Sequence, residues 1–452
     1  MKNKTAFTVI LFFLLSFPVG SAYSDVSGES STLKSAPDSL TLEDCISIAL
    51  SGNRLIQQSK AKISAVRAKK DQVIKSQLPL ASLQLQKNKN HEAMSPFLAT
   101  EQNISKVVVS QSMHPFGRFK SQKRAAQSNI TAADEEKRKT EIEITFQTVK
   151  TFYDLLLARH LEEVASESVA QLERHRNNTA AMVEAGATPR FDLLRAEVQL
   201  SSAKPSLIKA QHVRKSGLAD LLNLLGIDPS SKPELIGSFP VNVLDIPIPD
   251  EEKALDIALN NRPDVAASKA SVEAGKQQLS AVKQTLQPTL QLSGSYEDTK
   301  GSRMPVGEYK QNWGIQAGLI YPFMDSGLSA AQAREARANL QVALLGYENA
   351  VSNLRADIRK AISSVVEARE TLLSQQKNVE QAQEALAIAD KAYEAGTKTV
   401  LDFLDAQLAL TQAKTLRFQG LRDHAVAIAQ LERSLGLMPC TFAMQNFESS
   451  GK

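Results

Sequence analysis

The feature that most constrains this chain is a tandem repeat, because the fold must follow one path twice. Residues 43–79 align without a gap onto 252–288 at a constant offset of 209. Ile48-Ala49-Leu50 meets Ile257-Ala258-Leu259, Ser59-Lys60-Ala61 meets Ser268-Lys269-Ala270, and Pro79 meets Pro288. A second block aligns at offset 210, where Glu184-Ala185-Gly186 meets Glu394-Ala395-Gly396 and Leu225-Gly226 meets Leu435-Gly436. In the same block Asp192, Leu194 and Ala196 meet Asp402, Leu404 and Ala406. Two blocks in the same order define two repeats, 40–226 and 251–437. Between them, 227–250 holds five prolines (Pro229, Pro233, Pro240, Pro247 and Pro249), which excludes helix and marks the boundary.

Each repeat reads as two short helices, a strand pair, a very long helix, a turn and a return helix. No proline interrupts 327–395. There Val351, Ile358, Val365, Leu372, Val379, Leu386 and Tyr393 recur every seventh place. Tyr347, Leu354, Ala361, Ala368, Ala382 and Ala389 form the companion row, with Gln375 as the exception. This 3-4 seam, small on one side, lets helices approach closely. The first-repeat equivalent, 117–185, has a less regular seam. At about 1.5 Å per residue each helix is a rod roughly 100 Å long, which a lone globular domain cannot cover.

The strand pairs fall at about 80–113 and 289–322. From Tyr309 to Tyr321 the pattern has period two: Tyr309, Trp313, Ile315, Ala317, Leu319 and Tyr321 share one face, with Gln311 the exception. Lys310, Asn312, Gly314, Gln316 and Gly318 share the other. Leu290–Tyr296 is the expected partner strand, and the first-repeat strands alternate more weakly. An apolar face with aromatic ends, backed by a polar Gly-rich face, fits a transmembrane strand. An ordinary hairpin capping a coiled coil fits the alternation equally well. If the strands do span lipid, four cannot close a barrel, and several chains must share one.

The N-terminus supports export. Lys2 and Lys4 precede an apolar run from Ala6 to Phe17, and Gly20-Ser21-Ala22 offers a cleavage site, so 1–22 reads as a signal peptide and 23–39 as a linker. No Cys directly follows the apolar run, and no later stretch of 18 apolar residues exists. Removing Lys2 and Lys4 lowers the net charge from +4 to +2, which gives no support for nucleic-acid binding. Cys45 and Cys440 can pair in an exported protein, or Cys45 is simply a small buried residue. The histidines at 91, 114, 160, 175, 212 and 424 show no metal-binding spacing, and no phosphate loop or nucleophile motif appears. No cofactor and no enzymatic activity are expected.

The turns carry chemistry of their own. Gly186 and Gly396 sit where long helices end and φ > 0 is required. Thr188, and Thr397 or Thr399, can cap the return helices, with Pro189 in a first-turn position. Asp192 and Asp402 then lie near helix N-termini, where a carboxylate is stabilised whatever else it does. Asp402 and Asp405 share a helix face and would form acidic rings in a symmetric assembly, able to gate a pore. Arg195 occupies the position matching Asp405 in the first repeat.

Over about 40–437 the chain resembles the TolC-like outer membrane efflux proteins. The resemblance rests on the duplication and on the repeat openings, Leu42–Leu50 and Ala254–Leu259, together with Pro79 and Pro288. It rests also on Tyr321-Pro-Phe-Met-Asp-Ser-Gly327, on the shorter Met113-His-Pro-Phe-Gly117, and most specifically on Tyr393–Ala406. It implies a mostly α chain with a transmembrane β part. Three chains would share one 12-stranded β-barrel continued by a coiled-coil α-barrel across the periplasm. It implies a passive outer-membrane duct for efflux or type I secretion. The expected partners are a periplasmic adaptor, an inner-membrane transporter of RND, ABC or MFS type, and outer-membrane lipid. The tips, 186–191 and 396–401, would dock the adaptor through Gly186, Ala187, Thr188, Gly396, Thr397, Lys398 and Val400. Asp402 and Asp405 would form the periplasmic constriction, and Asp192 bonded to Tyr393 and Lys398 would latch it closed. Tyr296, Tyr309, Trp313 and Tyr321 would mark the membrane interface. The rival reading is a soluble periplasmic coiled-coil scaffold without a pore.

Overall fold

The computed structural model describes residues 38–89, 101–239, 248–301, 309–395 and 397–439. The signal peptide, most of the 23–39 linker, Gly396 and Cys440 lie outside the described residues. In chain order the elements are β1 (Ser39–Leu40), α1 (Leu42–Gly52), α2 (Arg54–Lys75), β2 (Leu80–Lys89), β3 (Glu101–Met113), α3 (Arg118–Glu184) and α4 (Arg190–Leu225). Then follow β4 (Glu234–Leu235), α5 (Glu251–Asn261), α6 (Pro263–Lys283), β5 (Thr289–Gly301), β6 (Tyr309–Ile320), α7 (Leu328–Glu394) and α8 (Val400–Ser434).

The two rods, α3 and α7, hold 67 residues each. Both start after a glycine in left-handed conformation, Gly117 at φ 100° and Gly327 at φ 85°, which swings the chain from strand exit into helix. The heptad positions face inward as the spacing requires: Leu354, Ile358, Ala361, Val365, Leu372, Val379, Ala382, Ala389 and Tyr393 are buried.

Each rod is matched by two shorter helices set end to end. α2 and α4 flank α3, while α6 and α8 flank α7, and α3 also contacts α6 and α8. The joints are turns packed on turns. Gly226 closes α4 at φ 72°, and the α1–α2 corner at Gly52 abuts Leu225. Gly436 follows α8 at φ 75° and abuts the α5–α6 corner at Asn261–Arg262.

Apolar burial is distributed along the rods rather than gathered in one core. One cluster surrounds Phe152, Leu156, Leu221, Leu222 and Leu225 at the first joint, and includes Cys45 and Phe239. Its counterpart joins Ala254, Ala258, Leu354, Ile358 and Leu435. Burial pushes the Cys45 thiol up to about 12, so it is chemically inert. Large apolar side chains nevertheless stay exposed along the helices, among them Leu194, Val198, Val342 and Leu345, as a wall segment of a larger assembly presents them.

Candidate functional site

The candidate functional parts of the molecule are the sheet and the helical tip. The sheet is antiparallel throughout, in the order β2-β3-β5-β6. Its register puts Leu83, Val107, Tyr296 and Trp313 in one cross-strand row, and Ala81, Val109, Gly294 and Ile315 in the next row on that face. Leu292 with Ala317, and Leu290 with Leu319, continue the same face. Trp313 is 73% exposed, Ile315 82% and Leu85 72%. The opposite face carries Gln84, Lys106, Glu297 and Asn312 in one row, with Ser110, Ser293 and Gln316 nearby. Lys106 and Glu297 pair there at 3.4 Å.

A contiguous exposed apolar face backed by a polar one is the signature of a wall between lipid and water. Tyr296 and Trp313 are direct cross-strand partners and mark one level of the apolar band. Tyr321 follows β6 and is exposed. Tyr321 lies eight positions on from Trp313, about 26 Å along a strand or roughly 20 Å of height at a barrel strand's tilt, most of a transmembrane β band. Tyr309 pairs in register with Lys300, beyond the Asp298–Gln311 level, and its side chain lies outside the described residues.

At the tip, α3 ends in the expected left-handed turn: Gly186 has φ 68°, and the Ala187 amide donates to the Met182 carbonyl at 2.8 Å. The second turn is held by the Thr397 amide and hydroxyl, both donating to the Ala392 carbonyl at 2.9 and 3.0 Å. Thr399, not Thr397, caps α8. Its amide and hydroxyl donate to one Asp402 carboxylate oxygen at 2.9 and 2.8 Å, and the Asp402 amide returns a bond at 3.4 Å. The Thr399 hydroxyl, then its amide, hold the Asp402 carboxyl below its usual range, aided by Lys398. Asp405 is exposed one turn later.

The first tip departs from expectation. Pro189 is itself the N-cap of α4, one position earlier than a first-turn residue, so no side chain caps this helix. Thr188 instead donates its hydroxyl to Asp192 at 2.9 Å. The latch is also different. The Tyr393 hydroxyl lies 3.3 Å from the Thr179 hydroxyl on α3, and its ring is 7% exposed. Among the described residues Asp192 bonds neither Tyr393 nor Lys398. The reason is helix rotation: the Tyr393 position of the seam points into the tip core, across from α3. Val400 is 4% exposed and joins that core, so it supports the tip rather than offering it to a partner. Gly186, Ala187, Thr397 and Lys398 are exposed and Thr188 partly so, while Gly396 lies outside the described residues.

The tip core contains residues that sequence reasoning did not single out. His175 on α3 stacks on Phe403 of α8 at 4.2 Å between centroids and lies 5.1 Å from the Tyr393 ring. Its Nε2 is buried without a protein partner. Burial pushes its pKa down, while the Asp390 and Asp192 carboxylates pull the other way. The available signal was the spacing of Leu172, His175, Thr179 and Met182, which places polar residues on a buried stripe.

A wall of paired rods joined to a sheet with one exposed apolar face and one polar face fits a subunit of an outer-membrane channel. The family model described as outer membrane efflux protein matches 45–227 and 254–437, and the chain belongs to that family. The efflux protein BepC of Brucella suis is 25% identical over 322 residues, 70% of this chain and 68% of BepC. The outer membrane protein OprJ of Pseudomonas aeruginosa is 23% identical, covering 87% of this chain and 84% of OprJ. The solved CmeC outer membrane channel of Campylobacter jejuni superposes with TM-score 0.77 at 18% identity, covering 91% of this chain and 89% of CmeC. The protein is an outer-membrane efflux duct, with its helical part in the periplasm.

Proposed function

We propose that three copies of this chain close one 12-stranded barrel, continued by a helical tunnel, and serve as the passive exit of a tripartite efflux or type I secretion machine. One observation carries this. β2 and β6 pair with no further strand among the described residues, yet the sheet between them has a continuous apolar face. In lipid such edges must be paired. Because the four strands alternate in direction, β6 of one copy meets β2 of the next antiparallel, so a ring closes without a break. The same apolar face opposes a soluble scaffold.

The tip supplies the gate. Asp402 and Asp405 from each copy form acidic rings that favour cations and repel anions. Asp192 and Lys398, unbonded to each other within the chain, serve as pairing groups between neighbouring copies in the closed state. Gly186, Ala187, Thr188, Thr397 and Lys398, with Gly396, receive a periplasmic adaptor, which couples the duct to an inner-membrane transporter of RND, ABC or MFS type. Outer-membrane lipid contacts the apolar sheet face, with Tyr296, Trp313, Tyr321 and Tyr309 near its borders. The name of BepC, an efflux protein, supports the export role.

The test is fractionation followed by a detergent-corrected mass and planar-bilayer recording. Outer-membrane recovery, a mass of three chains and a conducting pore are expected. A soluble periplasmic species, or a lone chain in the membrane fraction, overturns the proposal.

A further inference from the structure

Just below the sheet the helices carry cations that conduction does not use. α3 opens with Arg118, Lys120, Lys123 and Arg124 and meets no acid before Asp134. α2 ends at Lys75 and α6 at Lys283. These three helices stand side by side and line one groove, through Val66 and Val73 of α2, Gln122 and Asn129 of α3, and Ser271 and Gln278 of α6. The α3 residues that bury against its neighbours, such as Ser121 (3.2 Å from Ser280 of α6) and Ile130, flank the groove stripe, so the groove lies on one side of the helix layer. At about 100° per residue, Lys75, Lys120, Arg124 and Lys283 project from the opposite side of the layer.

All four are exposed, and none pairs with a carboxylate among the described residues. The ion pairs on that same side, Arg67–Asp134 at 3.7 Å and Lys276–Glu273 at 3.9 Å, are long and lie farther from the sheet. Asp71, one turn before Lys75, is an acid near this end. The strand–helix junctions near these helix ends expose Leu78, Phe116, Phe323 and Met324. Apolar side chains at the border of the acyl region, with cations within about 10 Å below, match the profile of a leaflet with charged headgroups.

We infer that the face formed by Lys75, Lys120, Arg124 and Lys283 is the outer one of the duct and a collar that binds anionic phospholipid headgroups of the periplasmic leaflet. Repeated by symmetry, it encircles the duct where barrel meets tunnel and sets the depth of insertion. The inference rests on the membrane reading of the sheet.

Trp313 is the single tryptophan, so a local reporter can be built. The full chain carrying Trp313→Phe and Phe323→Trp is reconstituted in bilayers of dibrominated phosphatidylcholine or dibrominated phosphatidylglycerol. Both lipids should quench the reporter, the anionic one with a relative association at least about twofold higher. Lys120→Gln with Arg124→Gln, and the fourfold Gln variant, should bring that ratio toward one, as should 0.5 M salt on the order of a short Debye length. Lys62→Gln with Lys69→Gln, on the groove side, should leave it unchanged. Equal quenching by the two lipids in the parent overturns the collar alone. An equal loss from the groove-side pair also overturns it. Quenching by neither lipid overturns the membrane reading as well.

Discussion

Replacing Gly436 by alanine separates two costs that the duplication otherwise holds equal. Gly226 and Gly436 are repeat equivalents, at φ 72° and 75°, and each closes a return helix. Alanine in this left-handed region costs roughly 1–2 kcal/mol, partly offset by the reduced freedom of the unfolded chain, about 0.4–1 kcal/mol. At Gly226 an added Cβ would come no nearer than 3.8 Å, to the Gly52 carbonyl oxygen. At Gly436 it would lie 2.7 Å from the Arg262 Cα, the Arg262 nitrogen and the Asn261 carbonyl carbon. These are backbone atoms, and the corner cannot easily yield. The Arg262 guanidinium donates to Asp264 at 2.9 and 2.6 Å and to Asp357 at 3.0 Å, which ties the corner to α7. Overpacking against backbone adds about 1–3 kcal/mol. Gly226→Ala should therefore destabilise by no more than about 1–2 kcal/mol, and Gly436→Ala by roughly 2–4 kcal/mol. The assay is loss of helical circular dichroism in detergent, scanned at one rate for all variants. The extra drop in midpoint for Gly436→Ala should be at least about 2 °C. Equal shifts, or a larger one for Gly226→Ala, would refute the argument that the corner contact rather than φ dominates.

Further outcomes follow from the tip and the sheet. Tyr393→Phe removes the hydroxyl shared with Thr179 and should weaken the tip by about 1 kcal/mol, raising open probability in single-channel records; wild-type gating would show that this contact holds nothing. Asp405→Asn should reduce cation selectivity in reversal-potential measurements without moving the thermal midpoint, whereas Asp402→Ala should change both, because only Asp402 closes the Thr399 capping box. Burial lowers the pKa of His175 and His424, so the unfolded chain binds more protons below about pH 6.5 and stability should fall as pH drops from 7.5 to 5.5. His175→Phe should reduce that fall, and an unchanged pH dependence would reject the buried-imidazole explanation. Ile315→Arg should cost about 2–4 kcal/mol on the lipid face and abolish stable insertion, while Gln316→Arg on the polar face is tolerated; heat-modifiability on gels reads both.

Local patterns made much of this protein readable. The rods begin and end within one residue of the stretches bounded by Gly117 and Ala185, and by Gly327 and Ala395, because a proline-free heptad run and a left-handed glycine are properties of neighbours in sequence. The period-two pattern of β6 belongs to the same class, since each residue of a strand knows its face from the next. The weak alternation of β2 and β3 does not. Leu83 and Val107 join the apolar face only through their register with Tyr296 and Trp313, which pairing across 200 residues decides. The tip shows the same division. Gly186, Thr399 and Asp402 act within one turn of chain and were legible. The partner of Tyr393, the burial of Val400 and the stacking of His175 on Phe403 depend on the rotation of α3 against α7 and α8. Sequence by itself determined the elements, their lengths, their duplication and the chemistry at their turns, because those follow from short-range sterics and hydrogen bonding. Only tertiary structure decided which faces meet, because packing energy is set by side chains far apart in the chain and brought together by the fold.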